Sequence, residues 1–166
     1  MRNAACLVLL CALSTAHAKP AADEHRRFHD FLDAEWEWTM HEFPTWATAV
    51  GDPRYDDRLD DSSFAAFDRR KAHVRDVVTR LEHLDRAKLT SAEQLDYDLY
   101  LRDARLDVEG QRFPSELLVL DQMGGAHSLL ADLAQNIPRR NAADLDHFLA
   151  RMDAYPKYVD QQIAVL

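Results

Sequence analysis

Cysteine is nearly absent from this chain: there are two, Cys6 and Cys11, and both fall within the first 18 residues. That stretch has the three parts of a cleaved secretory leader. Arg2 gives a short positive start, Ala4 to Leu13 form an apolar run too short to span a bilayer, and Ala16-His17-Ala18 is a small-x-small cleavage site. Cleavage is expected between Ala18 and Lys19. Lipidation is the weaker reading, because Leu10 is too large a residue to precede a lipidated Cys11, and Cys6 has almost no apolar run ahead of it. The mature chain, residues 19–166, would then enter a periplasmic or extracellular compartment with no thiol, which excludes disulfides and thiolate metal ligands.

A basic excess is missing too. Without the leader, 19 basic residues face 29 acidic ones, a net charge of −10. Nucleic acid, and the membrane surface after leader cleavage, are therefore not expected partners, since both attract a net basic face. Glycine is scarce, with four in 166 residues, and no Pro/Gly/Ser-rich linker or internal repeat divides the chain. Strand-like content is limited to the run Leu117 to Leu120, which reads as an extended segment or a short buried helix.

What remains is helical periodicity, so the expected fold is all-α, built from several long amphipathic helices. From Asp23 to about His41, Phe28, Phe31, Leu32, Trp36 and Met40 recur at threes and fours. Ser62 or Ser63 can cap a second long helix, carrying Phe64, Phe67, Val74, Val77, Val78, Leu81 and Leu84 to about Asp85. Thr90-Ser-Ala-Glu93 is a capping box, opening a helix with Leu95, Leu99, Leu101, Leu106 and Val108 that Gly110 ends. A further helix spans about Ala126 to Gln135, and Ile137-Pro138 stops it. Asn141 caps the last one, whose stripe is Leu145, Phe148, Leu149, Met152, Tyr155, Val159, Ile163 and Leu166, with Pro156 expected to kink or split it. No stop signal closes that stripe at Leu166, so the segment 19–166 is expected to be the N-terminal portion of a longer domain.

Between the first two long helices lies a joint, Glu42 to Asp61. Pro44 can open a short helix there and Gly51 can close it in the left-handed conformation. Asp52-Pro53 turns the chain, and the alternating charges from Arg54 to Asp61 are expected at the surface, tied down locally. A second loop, Gln122-Met-Gly-Gly-Ala-His127, has a glycine pair that lets a backbone approach something closely. The positions expected to meet a substrate are Tyr55 and Arg58 in the joint and Gln122, Gly124, Gly125 and His127 in this loop.

No catalytic set can be named. His25, His29 and Asp33 lie four apart on one helical stripe, a spacing able to hold a divalent metal, but with no buried groups behind them they read as a solvated face. His41-Glu42 begins like a zinc-peptidase helix, yet residue 45 is Thr and Pro44 intervenes. Asp56, Asp57, Asp60 and Asp61 have a calcium-loop composition without its glycine and terminal glutamate, and Arg54 and Arg58 are their expected partners. His127 reads as a capping or packing residue, having no neighbouring nucleophile or second ligand; Trp36, Trp38 and Trp46 could stack on a ligand, but two of them fit helical core positions and core is the default for such aromatics. No metal or other cofactor is assigned to this chain.

Several of these segments occur in a shared order: Phe43-Pro44, Ala47 to Asp52, Tyr55 to Leu59, Asp61-Ser62, Leu89 to Asp98, Gln122 with Gly124-Gly125 and His127, and Phe148 to Met152 leading to Tyr158 and Gln161-Gln162. This series resembles a bacterial family catalogued as domain of unknown function number eight hundred and eighty-five, over nearly all of the mature chain. The resemblance implies a larger, largely helical, exported protein similar to zinc metallopeptidases through a His-Glu-x-x-His helix in its C-terminal half. This chain has no such helix. It is therefore expected to be the N-terminal, cleft-forming part of an exported zinc-dependent peptidase or hydrolase, inactive alone. Its partners would be the remainder of the same polypeptide and a peptide substrate, with zinc implied for the full-length relative. The alternative is a self-standing periplasmic helical binding or scaffold protein.

Overall fold

The computed structural model describes residues 21–118, 120 and 124–166, so the leader lies outside the described residues. Among these there are six α-helices and no strand, which makes the fold all-α. They are α1 (Ala21–Glu42), α2 (Pro44–Ala49), α3 (Phe64–Glu82), α4 (Ser91–Gly110), α5 (Ala126–Asn136) and α6 (Ala142–Val165). Single 3-10 turns at Pro53–Tyr55, Arg86–Lys88 and Ser115–Leu117 join them.

The core lies where α1, α3 and α4 meet. Phe28 and Phe31 of α1, Val77 and Leu81 of α3, and Tyr97, Leu101 and Ala104 of α4 are buried together, with Leu84 and Leu89 from the connection. Burying a side chain such as Phe28 or Leu81 contributes about 2 kcal/mol. Tyr97 keeps its polar end satisfied by donating from its hydroxyl to the Leu81 carbonyl at 3.1 Å.

Beside this apolar seam α1 carries a second, ionic one. Glu24, Glu35 and Glu42 are all buried and are spaced 11 and 7 apart, so they share a face. Glu24 accepts from Arg27 and from the Asp85 backbone N–H, Glu35 from His73 and Arg80, and Glu42 from Arg69 and Arg70. Charges so deep require partners, and α3 supplies them for the latter two.

The helix ends follow local chemistry. Ser63 caps α3, Asn141 caps α6, and Thr90 and Glu93 form the capping box of α4. α4 ends at Gly110, but that glycine is not left-handed, and the Gln111 cap is right-handed helical. Pro156 does not split α6, which is continuous from Ala142 to Val165.

Several apolar positions point the other way from what periodicity predicts. Trp36, Trp46, Phe64, Leu95, Leu99 and Leu106 are exposed, so Trp36 and Trp46 are not core. The run from Phe113 to Leu118 is a surface turn whose Leu118 is 81% exposed. On α6 the pattern is partly inverted: Asp144, Arg151 and Gln162 are buried while Leu145, Leu149, Met152, Ile163 and Leu166 face solvent, although Val165 is buried and Phe148, Tyr155 and Val159 are half-buried.

Candidate functional site at the joint and the last helix

The joint is organised by its turns. α2 starts at Pro44, and its N-cap Phe43 has no oxygen to offer. Asp60 does that work from 15 residues downstream, accepting from the Thr45 N–H at 3.0 Å and the Thr45 hydroxyl at 2.8 Å. At the other end Gly51 has φ +90°, donating to the Thr48 carbonyl while Asp52 N–H donates to that of Ala47. This pair of bonds is the Schellman closure that favours glycine. Arg54 then clamps Asp52 and Glu37, and its hydrogen bonds hold both carboxyls below their usual range. It does not serve the acids that follow it in sequence.

Asp56 and Asp60 bond to α2 and Asp61 to α6 instead. Arg151 is fully buried and donates from Nε to the Arg58 carbonyl at 2.7 Å, and from Nη2 to the Thr48 hydroxyl at 2.6 Å and the Pro44 and Tyr55 carbonyls at 3.2 and 3.3 Å. The Thr48 hydroxyl in turn donates to Asp56 Oδ1 at 2.6 Å. Asp56 is 2% exposed, so the expectation that Arg54 to Asp61 lies wholly at the surface is corrected. A buried cation and a buried anion are joined here through one hydroxyl. Burial lowers the proton affinity of Arg151, and the nearby charges of Asp56, Asp60 and Asp57 oppose that shift.

A second set of bonds lies two to three turns further along α6. Gln161 accepts from the Ser62 N–H at 3.1 Å and donates to Asp61 at 2.9 Å, and Gln162 donates to the Ser62 and Tyr158 hydroxyls. Burial pushes the Tyr158 phenol up, only partly offset by its bond to Ser62. Between these contacts and the Arg151 node is a cleft of about 300 Å³, lined among others by Arg58, Asp57, Lys157 and Tyr158. It offers both charge signs and two amide or hydroxyl groups.

The residues expected to bind substrate fall into two groups. Tyr55 is half-buried, edge-on to His41 at 5.7 Å and flanked by the Arg54 and Arg58 guanidinium groups, each 5.5 Å from its ring centre. Arg58 lines the cleft, and Tyr55 does not. Gly125, at φ +131°, opens α5, and the loop is held to α6 by the Tyr155 hydroxyl donating to the Ala126 carbonyl at 2.5 Å. Gly124 is half-buried and His127 exposed on the first turn of α5, while Gln122 lies outside the described residues. Arg151 and Tyr155 are one turn apart, so α6 supports both groups, but no described cavity is lined by both.

The roles missed in the sequence are those of Thr48, Asp56, Asp60 and Arg151 in the node and, outside it, of Asp144, which accepts from the Arg140 N–H and guanidinium at the start of α6. A signal for two of them was present: Asp144, Arg151 and Gln162 are spaced 7 and 11 apart, a polar stripe parallel to the apolar one.

A zinc ion needs convergent imidazole, thiolate or carboxylate ligands. Among the described residues no set of three such groups is arranged to hold a metal ion. His25 and His29 are each tied to Glu93, at 2.7 and 3.0 Å, and Asp33 is exposed apart from them. Asp56, Asp60 and Asp61 are engaged by N–H and O–H donors. The described residues do not fit zinc.

The two ends of this node, Pro44 to Ser62 and Arg151 to Gln162, are separated by about a hundred residues, yet a single family model, described as "Bacterial protein of unknown function (DUF885)", matches continuously over residues 44–166. The chain belongs to that family. The DUF885 match begins at Pro44, whose carbonyl is one of the acceptors of Arg151, and takes in every residue of the node. No curated protein and no solved structure matches the chain.

Proposed function

We propose that this DUF885 chain is the N-terminal, scaffold-forming part of an exported zinc-dependent peptidase-like hydrolase. In this reading the joint and α6 form one wall of a peptide-binding cleft. The ligands for the metal and the groups that act on the peptide bond lie on further helices of the same polypeptide. One observation carries the reading: α6 buries its polar face in the joint and turns Leu145, Leu149, Met152, Ile163 and Leu166 to solvent. An apolar face of that length is seldom left bare, and more helices packed on it would place a second wall opposite Arg58 and Tyr158.

The test is to express residues 19–166 alone and fused to whatever coding sequence follows Leu166. The short product is expected to associate and to bind an apolar-surface dye, and the longer one to be monodisperse and to hydrolyse peptides only when loaded with zinc. A stop codon directly after Leu166, with a monodisperse and cooperatively folding product, overturns the reading. A well-folded longer product that retains no zinc removes its hydrolase half.

A further inference from the structure

A cavity of about 250 Å³ lies between α1, α3 and α4, away from the joint. Its most ordered feature is an imidazole clamp. The His73 ring is stacked on Trp38 with centroids 3.6 Å apart and planes within 3°, and its Nε2 is 2.8 Å from the buried carboxylate of Glu35. Arg80 bonds the other oxygen of Glu35, so that carboxylate accepts and Nε2 carries the hydrogen. In the neutral ring the lone pair is then on Nδ1, to which no described residue donates.

Two carboxylates add further acceptors, and Thr39 and Tyr100 contribute hydroxyls. Asp103 and Asp107, one turn apart on α4, stand at its rim; Asp103 is shared with Arg102, and Asp107 makes no ion pair among the described residues. No lysine or arginine lines the space. Val74, Val77 and Ala104 give it an apolar floor, and Trp38 and Tyr100 give π-rich walls. Burial first, then the Glu35 charge, push Tyr100 up to about 12, so it stays neutral and adds no charge of its own.

We propose that this cavity binds an organic ammonium ion, such as the side chain of a peptide lysine, with its aliphatic stem between Trp38, Tyr100 and Val74. The ammonium hydrogens are met by His73 Nδ1 and the Asp103 and Asp107 carboxylates. A π-rich wall beside a partly desolvated cation adds attraction that a neutral isostere does not receive. The site uses α1, α3 and α4, whereas the peptidase reading rests on α6 and the joint, so either can fail without the other.

The experiment is a nuclear magnetic resonance titration of the full chain at physiological salt. The probe is Nα-acetyl-lysine methylamide, and the neutral control is Nα-acetyl-norleucine methylamide. Saturable shifts are expected at the Trp38 indole and the Val74 and Ala104 methyl groups with the lysine probe alone. The exposed-site double variant Asp103→Asn/Asp107→Asn should weaken binding by about tenfold while leaving the folded spectrum intact. His73→Gln, which keeps a polar side chain, should weaken it further. Equal shifts from both probes, shifts spread over the acidic surface, or unchanged affinity in the double variant would each overturn the proposal.

Discussion

Thr48→Val is the most incisive perturbation of the node, because valine keeps the shape of threonine and removes only the hydroxyl. That hydroxyl accepts from Arg151 and donates to Asp56, both at 2.6 Å, in a region where Arg151 and Asp56 are almost wholly withdrawn from water. A hydrogen bond to a charged group contributes about 1.5–3 kcal/mol, and a buried group left unmatched adds a desolvation cost. Relaxation of the Arg151 side chain toward its carbonyl acceptors returns part of this, so a net loss of about 3 kcal/mol is expected. Thr48→Ser keeps the hydroxyl, loses one methyl group and should cost about 1 kcal/mol. With a urea slope of about 1.5 kcal/mol per molar, the valine variant should unfold about 2 M earlier, followed by far-UV circular dichroism. Adding Asp56→Asn to Thr48→Val should cost less than the two single changes together, because the second change removes the charge stranded by the first. A valine variant within about 0.5 kcal/mol of the parent, or strict additivity of the pair, would refute the idea that one hydroxyl couples the two buried charges.

Gly51→Ala should destabilise by about 1 kcal/mol through its left-handed φ alone, since a Cβ there meets nothing, while Gly110→Ala should stabilise by about 0.5 kcal/mol, being helical and open; denaturant melts check both signs. Glu93 is held down to about 2, chiefly by the Thr90 N–H and hydroxyl, then by His25 and His29, against the opposing effect of burial. Its folded value lies below its unfolded one, so its contribution is present above about pH 4.5 and is lost as pH falls toward 2; Glu93→Gln should flatten that part of the stability curve in acid melts. Intact-mass spectrometry of exported material should find Lys19 as the first residue, and retention of Met1 or a lipid on Cys11 would contradict the leader reading.

Features fixed within a few residues were legible in the sequence. The Thr90/Glu93 capping box, the Ser63 and Asn141 caps and the glycine closure at Gly51 stand where local chemistry puts them. Choices made by tertiary packing were not legible. α4 contains two apolar faces, and only the one with Tyr97, Leu101 and Ala104 meets α1 and α3, leaving Leu95, Leu99 and Leu106 outside. The acids after Asp52 look like solvated surface because their partners, Thr45, Thr48 and Gln161, are not in helical register with them. Of the expected site residues, Arg58 lies on a cleft and Tyr55 beside it, but the glycine loop is linked to them only through α6.

The polar contact between the joint and α6 also constrains the order of assembly. The bonds from Ser62 to Gln161 and Gln162 close a loop of 99 to 100 residues, whereas the α3–α4 pair is connected by a short turn. Closing the longer loop carries the greater entropic cost, and it brings hydrogen bonds rather than apolar burial as its immediate return. The α1/α3/α4 core can therefore consolidate first, with α6 docking last. Until it docks, Asp56 has no buried cation to answer it and must keep its water. The joint is thus a late-closing clasp, and a variant weakened there would speed undocking of α6 while the three-helix core stayed folded.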